Sequence, residues 1–187
     1  MHVTRANTAA RLITTLFLLC ACAVTGLAQA KSAAEINISV DETLKRFRSE
    51  VQGGSKFLAG ASGVLVFPSV IKAGIGIGGE YGEGALRVGG KTVDYYSTAA
   101  ASIGFQLGAQ SKSVVVVFMN SKALSAFRKS DGWKAGVDGS VAVVEWGVGE
   151  DINTVDIKDP VVGFVFSNKG LMYNLTLEGS KFTKINK

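Results

Sequence analysis

The stretch FPSVIKAGIGIGGEYGEG, residues 67–84, decides the fold, because it combines a strand-like alternation with an unusual density of glycine. The first three glycines of this stretch alternate with Ile75 and Ile77, and a period of two is typical of a β-strand. Glycine weakens a strand, so a run of it indicates a sharp bend, a closely approaching backbone or a ligand. The glycines concerned are Gly74, Gly76, Gly78, Gly79, Gly82 and Gly84.

Two phosphate-binding motifs match this region in letters but not in context. Residues 74–79 contain G-x-G-x-x-G, and residues 85–92 fit a relaxed P-loop pattern. Both motifs need a helix after the glycines, because its N-terminal N–H groups bind the phosphate. The residues that follow are glycine-rich or strand-like, so we predict a bent, closely packed strand and a two-residue hairpin turn at Gly89-Gly90. These glycines are therefore interpreted as structural.

The first 30 residues have the pattern of a secretory signal. Arg5 and Arg11 precede an apolar run at residues 12–19, and small residues follow. The apolar run is short for a transmembrane helix, which needs about 20 residues. The pattern predicts an exported protein, either soluble in the periplasm or anchored to the outer membrane.

Two ends of this signal are compatible with the sequence. Cleavage after Ala30 uses the A-x-A pattern at residues 28–30, whereas a lipobox ending before Cys22 would leave that cysteine lipidated at the new N-terminus. In either case residues 31–187 are predicted to form a single domain.

The export signal also restricts the chemistry of the mature chain. Both cysteines and the only histidine, His2, lie within it, so the mature domain has no disulfide and no histidine. This excludes catalytic triads and histidine metal sites. Removing Arg5 and Arg11 leaves 18 basic and 15 acidic residues, a net charge of +3 (20 − 2 − 15) that does not favour nucleic acid.

An amphipathic helix is predicted after residue 39. Ser39 and Glu42 have the spacing of a capping box, and basic residues lie away from the apolar stripe. Either this helix packs its stripe on the domain with a solvated basic face, or its basic residues meet an anionic lipid surface. The stripe consists of Val40, Leu44, Phe47 and Val51.

The remainder of the chain is dominated by strands. Residues 63–67 are predicted as a buried strand stopped by Pro68, and residues 114–119 as a central strand covered on both faces. Between them, residues 99–110 alternate cleanly. About eight or nine strands and three helices, joined by tight turns, predict an α+β fold. Its sheet should be mainly antiparallel and strongly curved, or a partly closed β-barrel.

Four carboxylates lie near the glycine-rich strand in this arrangement: Glu80, Glu83, Asp94 and Asp138. A close pair of carboxylates can serve hydrolysis or bind a hard cation. Their spacing does not define a ligand set, so we interpret them as turn and rim residues or as ion-pair partners of basic residues, and we expect no metal or cofactor.

Several segments together resemble the SYLF-domain family, whose members include eukaryotic cortical proteins and bacterial exported proteins. The resemblance covers about residues 40–177 and is more specific than any single motif. It is carried by residues 63–68, Lys72-Ala73-Gly74, residues 78–84, Tyr95-Tyr96, residues 101–104, residues 106–110, Gly132-Trp133 and residues 136–142.

The resemblance implies a domain that binds membrane lipid, with phosphoinositides as the ligand in some eukaryotic members and actin filaments in others. In those members a basic N-terminal helix contributes to lipid binding, and the corresponding positions here are Lys45, Arg46, Phe47 and Arg48. The property that transfers to an exported protein is the binding of anionic phospholipid.

We therefore expect a non-enzymatic envelope protein that binds anionic lipid. Lys45, Arg46, Arg48 and Lys72 are expected to contact headgroups, and Phe47 to insert into the membrane. Two alternatives stay open, namely a periplasmic scaffold that binds a protein partner and a hydrolase that uses the carboxylates.

Overall fold

The structure is a computed structural model that describes residues 30–145, 159–169, 177 and 179–187. Side chains are not described at 75–77, 102–109, 144–145 and 167–169. The signal segment with Cys22 lies outside the described residues, apart from its last position, and stays a prediction. Residues from Ser32 onward form one compact unit.

Helix α1, Ala33–Glu50, begins about two turns earlier than predicted. Its capping box is formed by Ser32 and Glu35: the Glu35 backbone N–H donates to Ser32 Oγ, and the Ser32 N–H donates to the Glu35 carboxylate. The predicted cap at Ser39 is wrong, because Ser39 lies inside the helix. The earlier start adds Ile36, only 1% exposed, to the buried stripe, which gives α1 one more turn of apolar contact.

Two long antiparallel strands, β1 (Gly63–Val88) and β2 (Lys91–Phe118), form the centre of the sheet. They are joined by the predicted Gly89-Gly90 turn, whose φ angles of 57° and 78° belong to the left-handed region that favours glycine. Each of these strands was expected as several shorter ones. The sheet therefore depends on one long hairpin.

The prediction that Pro68 ends the first strand is wrong. The pairing register with β2 shifts between Phe67 and Val70, which marks a bulge where proline needs no ladder hydrogen bond. The extra residue also shifts the alternation of side chains between the two faces of the strand. As a result Leu65, Phe67 and Val70 join the same core cluster. Pro68 therefore redirects the strand without terminating it.

Strand β1 bends so strongly that its two ends approach each other. Straight, its 26 residues would extend about 85 Å, far more than a domain of this length can accommodate. A Cβ atom on Gly84 would lie 2.0 Å from the Val66 carbonyl oxygen, and one on Gly82 would lie 2.8 Å from that of Ser69. At these two positions the structure confirms that glycine permits close packing of the backbone.

The other elements complete an α+β fold. They are α2 (Gly54–Ala59), α3 (Ser121–Lys129), β3 (Trp133–Lys134), β4 (Ala142–Glu145), β5 (Val161–Lys169) and β6 (Lys181–Ile185). The sheet order is β3-β6-β2-β5-β4, with β1 also pairing with β2, and only β4 and β5 among the described strand pairs run parallel. This arrangement confirms the predicted curved, mainly antiparallel sheet with helices.

Apolar side chains cover both faces of the central strands. One face packs on α1 and α2, and the other packs on α3, β3 and β6. The predicted central strand is confirmed, because residues 114–118 of β2 are at most 1% exposed and lie between β1 and β5. The face covered by α1 contributes Val64, Val66, Ala85, Val115, Val117, Phe164 and Phe166.

A turn lies between β3 and β4. Gly136 has a φ of 80°, and the Lys134 backbone N–H donates to the Asp138 carboxylate over 2.6 Å. The strand β4 therefore begins only at Ala142.

Candidate functional site

A groove of about 440 Å³ lies between α1, α2 and the turn that joins β1 to β2. Its volume falls within the range of small-molecule sites. Two of the predicted lipid-binding residues, Lys45 and Arg48, line it. The other lining residues that matter here are Asp41, Leu58, Arg87, Gly89 and Gly90.

Local sequence explains why these residues meet. Asp41, Lys45 and Arg48 follow the i, i+4, i+7 spacing that places side chains along one side of a helix. Arg87 stands two residues before the hairpin turn and faces them from the sheet. A Cβ atom on Gly89 or Gly90 would have no atom within 4 Å, so the turn leaves its side of the groove open.

Arg87 is the most enclosed cation of the groove, with 13% of its side chain exposed. Its Nη2 atom lies 2.6 Å from Asp41 Oδ1 and donates a longer bond of 3.4 Å to the Asn37 carbonyl oxygen. Its Nη1 atom donates to the Gly90 carbonyl oxygen over 3.4 Å. The Nε atom is buried and has no hydrogen-bond acceptor within the part of the chain that the structure describes.

Arg46 differs from its two basic neighbours on α1. Its Nη2 atom donates to Ser113 Oγ over 3.0 Å, and its guanidinium lies 5.8 Å from the ring centre of Phe166. Both contacts attach α1 to the sheet, and Arg46 does not line the groove. Its main role in this geometry is to hold the helix.

The expectation that Phe47 inserts into a membrane does not fit the fold. Phe47 has 0% exposure, and its ring centre lies 4.9 Å from that of Phe164 and 5.6 Å from that of Phe166. Helical periodicity had placed Phe47 in the apolar stripe, and this stripe faces the core. Removing Phe47 from these contacts would cost about 3 kcal/mol or more, so it is a core residue.

Lys72 is also unavailable to a surface ligand, because it belongs to a buried ionic cluster. Its Nζ atom lies 3.6 Å from Glu80 Oε1, and Lys112 Nζ lies 2.7 Å from Glu80 Oε2. The Lys112 side chain is only 1% exposed. Two cations therefore share one carboxylate within the bent hairpin.

The four carboxylates near the glycine-rich strand do not form an acid–base pair. Glu80 holds the two lysines, Glu83 accepts from Tyr81 and pairs with Lys187, and Asp94 pairs with Arg128 and Lys184. Asp138 accepts a backbone N–H in a turn. Across the described residues, no group of three acidic, cysteine or histidine side chains could hold a metal ion. The geometry gives the hydrolase alternative no support.

A second groove, of about 340 Å³, lies beside α3 and includes Asp94, Arg128 and Lys184. Both cations pair with the one carboxylate, so much of their charge is already compensated. The neighbouring Tyr96 is buried, and this burial, followed by the charge of Asp94, raises the pKa of its hydroxyl to about 12.

The raised pKa of Tyr96 predicts a loss of stability at alkaline pH. Above pH 10 the unfolded chain releases the tyrosine proton while the folded chain keeps it, so stability should fall as the pH rises from 10 to about 12. Tyr96→Phe should show a shallower fall over this window. Urea unfolding at several pH values measures both slopes, and equal slopes would contradict the prediction.

The described residues form a curved α+β sheet with a basic groove beside α1. Residues 99–187, from within β2 onward, match the family model described as "Ysc84: Las17-binding protein actin regulator". This match confirms the resemblance to the SYLF family over residues 99–187. No curated protein matches the chain. Among the helices that the structure describes, none has the length and apolar character needed to cross a membrane.

Proposed function

We propose that this protein is a non-enzymatic envelope protein that binds anionic membrane lipid through the groove beside α1. The observation that carries the proposal is the convergence of Lys45, Arg48 and Arg87 on one open cavity. The match of residues 99–187 to the family described as Las17-binding actin regulators supports a binding role. The export signal in the sequence supports a location in the periplasm or at the outer membrane. The proposal includes both ways of processing the N-terminus, namely cleavage after Ala30 or lipidation of Cys22.

Electrostatic attraction to the membrane surface supplies the affinity in this proposal. Each basic residue near an anionic surface contributes about 1 kcal/mol. Lys45 and Arg48 project from a helix whose opposite side is fixed in the core, so they can approach lipid without unfolding. The interaction should weaken with added salt, because exposed charges are screened beyond about 10 Å at 0.1 M ionic strength.

The proposal predicts that Lys45→Glu/Arg48→Glu lowers vesicle binding at least tenfold. Sedimentation of the mature protein with phosphatidylglycerol vesicles at low salt provides the measurement. Lys122→Glu/Lys129→Glu is the matched control, because it makes the same charge change on another helix, α3. If both double variants lose binding equally, or if the parent ignores anionic vesicles, the groove is not the lipid site.

A protein partner is the second candidate, favoured by exposed apolar residues on the bent hairpin. Ile71 and Tyr81 are each 54% exposed there. Exposed apolar side chains that join into one contiguous patch are typical of interaction sites. A stoichiometric partner that remains bound to the parent and to Lys45→Glu/Arg48→Glu, but is lost in Ile71→Asp/Tyr81→Asp, would favour this function over lipid binding.

A further inference from the structure

We infer that the groove is a phosphomonoester site in which Arg87 is the central cation and Asp41 is an internal competitor for it. The inference deepens the proposed lipid binding and depends on it for the source of the ligand. It rests on the charge of the groove, the unused hydrogen-bonding capacity of Arg87 and the exposure of Asp41.

The charge of the groove selects the ligand class. Lys45, Arg48 and Arg87 contribute three positive charges and Asp41 one negative charge, which leaves +2. A phosphomonoester carries about −1.5 to −2 at neutral pH, whereas a phosphodiester carries about −1. The monoester therefore matches the groove more closely than the diester headgroups of most membrane phospholipids.

Arg87 is positioned to bind such a group. A guanidinium offers five N–H donors in a rigid fork that matches two phosphate oxygens. In the structure the Arg87 Nε atom is buried without an acceptor among the described residues, and two of its other bonds are long, at 3.4 Å. Gly89 and Gly90 have no side chains that would obstruct approach from the turn.

Asp41 accepts the shortest hydrogen bond that Arg87 donates in this arrangement. The two groups are 2.6 Å apart, and Asp41 is 59% exposed whereas Arg87 is 13% exposed. An exposed carboxylate loses little when it returns to water, so an incoming phosphate can replace it at the enclosed guanidinium. Asp41 thus lowers the affinity of the groove and keeps Arg87 hydrogen-bonded when no ligand is present.

The test compares Asp41→Asn with Glu42→Gln in binding to vesicles that contain phosphatidic acid, a phosphomonoester lipid. Asp41→Asn should bind at least about threefold more tightly than the parent, because it removes the competing charge. Glu42→Gln makes the same charge change one residue along the helix, outside the groove, and should stay within about twofold of the parent. Arg87→Lys, with its folding checked by thermal unfolding, should bind about tenfold more weakly although it keeps the charge.

Two further arms identify the ligand source. Phosphatidylglycerol vesicles at matched surface charge should bind more weakly than phosphatidic acid and show little effect of Asp41→Asn. Glycerol 3-phosphate, followed by calorimetry, reports the phosphomonoester without a membrane. Binding of this soluble compound with the same Asp41 dependence supports the site even if vesicle binding fails.

The inference is overturned if Asp41→Asn matches the parent in every arm, if Glu42→Gln gains as much, or if the two lipids bind equally. In those cases vesicle binding that still depends on Lys45 and Arg48 leaves the proposed function intact. The opposite outcome is also possible: the parent binds no vesicles, but it binds glycerol 3-phosphate in a way that depends on Asp41. It would overturn the lipid function and retain the phosphate site.

Discussion

Replacing Gly84 by alanine should reduce the free energy of unfolding by about 3 kcal/mol or more, or prevent folding. The new Cβ atom would lie 2.0 Å from the Val66 carbonyl oxygen and 2.8 Å from the Phe67 ring. A rotating side chain cannot relieve contact with a backbone atom, so the two ends of β1 would have to separate. The contacts between Val66 and α1 would then be strained as well.

Gly79→Ala is the matched control for this prediction. It lies on the same strand, and its Cβ atom would come no closer than 3.7 Å to any described atom, an ordinary contact. Its effect should stay below about 1 kcal/mol. Urea unfolding followed by tryptophan fluorescence measures both variants, and similar stabilities would show that the close approach at Gly84 does not define the bend.

Replacing Glu80 by glutamine is expected to have the next largest effect, a loss of about 3 kcal/mol or more. The neutral amide would leave Lys72 and Lys112 facing each other in the interior without the carboxylate that they share. Breaking a buried ion pair from one side is costly because the remaining charge stays desolvated.

The double variant Glu80→Gln/Lys112→Met provides the decisive comparison. Removing one of the two cations lowers the uncompensated charge, so the double variant should be more stable than Glu80→Gln alone. Chemical denaturation gives the free energies for this cycle. Lys112→Met alone gives the cost of losing this lysine from the parent. If the same substitution lowers the stability of Glu80→Gln by that full cost, the carboxylate does not act through charge, and the cluster contributes mainly by packing.

The turn chemistry and the apolar central strand were predictable because short-range rules govern them. Gly89-Gly90 had the sequence of a two-residue hairpin turn, and the continuous apolar run at 114–118 indicated burial on both faces. The length of β1 was not predictable in the same way. Proline usually ends a strand, and only the pairing with β2 shows that Pro68 sits at a bulge.

The start of α1 shows a different limit. Ser32 with Glu35 and Ser39 with Glu42 have the same spacing, so local capping preference cannot choose between them. Burial of Ile36 against the sheet favours the first box. A tertiary contact therefore decided a helix boundary that the local pattern left open.

Two of the four charged residues that line the groove were predicted from the sequence. Lys45 and Arg48 could be selected because they lie off the apolar stripe of an amphipathic helix. Asp41 and Arg87 were missed, since they are 46 residues apart and meet only through the packing of α1 on β1. Phe47 was assigned to the membrane from the family resemblance and Lys72 to the surface from its charge, but burial places both in the interior.

The single hairpin of β1 and β2 also bears on how quickly the domain can fold. Pairing begins with Val88 and Lys91 at the turn and extends to Gly63 and Phe118 at the far end. Each new pair adds only a small closure entropy once its neighbour has formed, so the pairing of β1 with β2 can extend outward from Gly89-Gly90. For these two strands, nucleation at one turn replaces the separate long-range searches that unconnected strands would require.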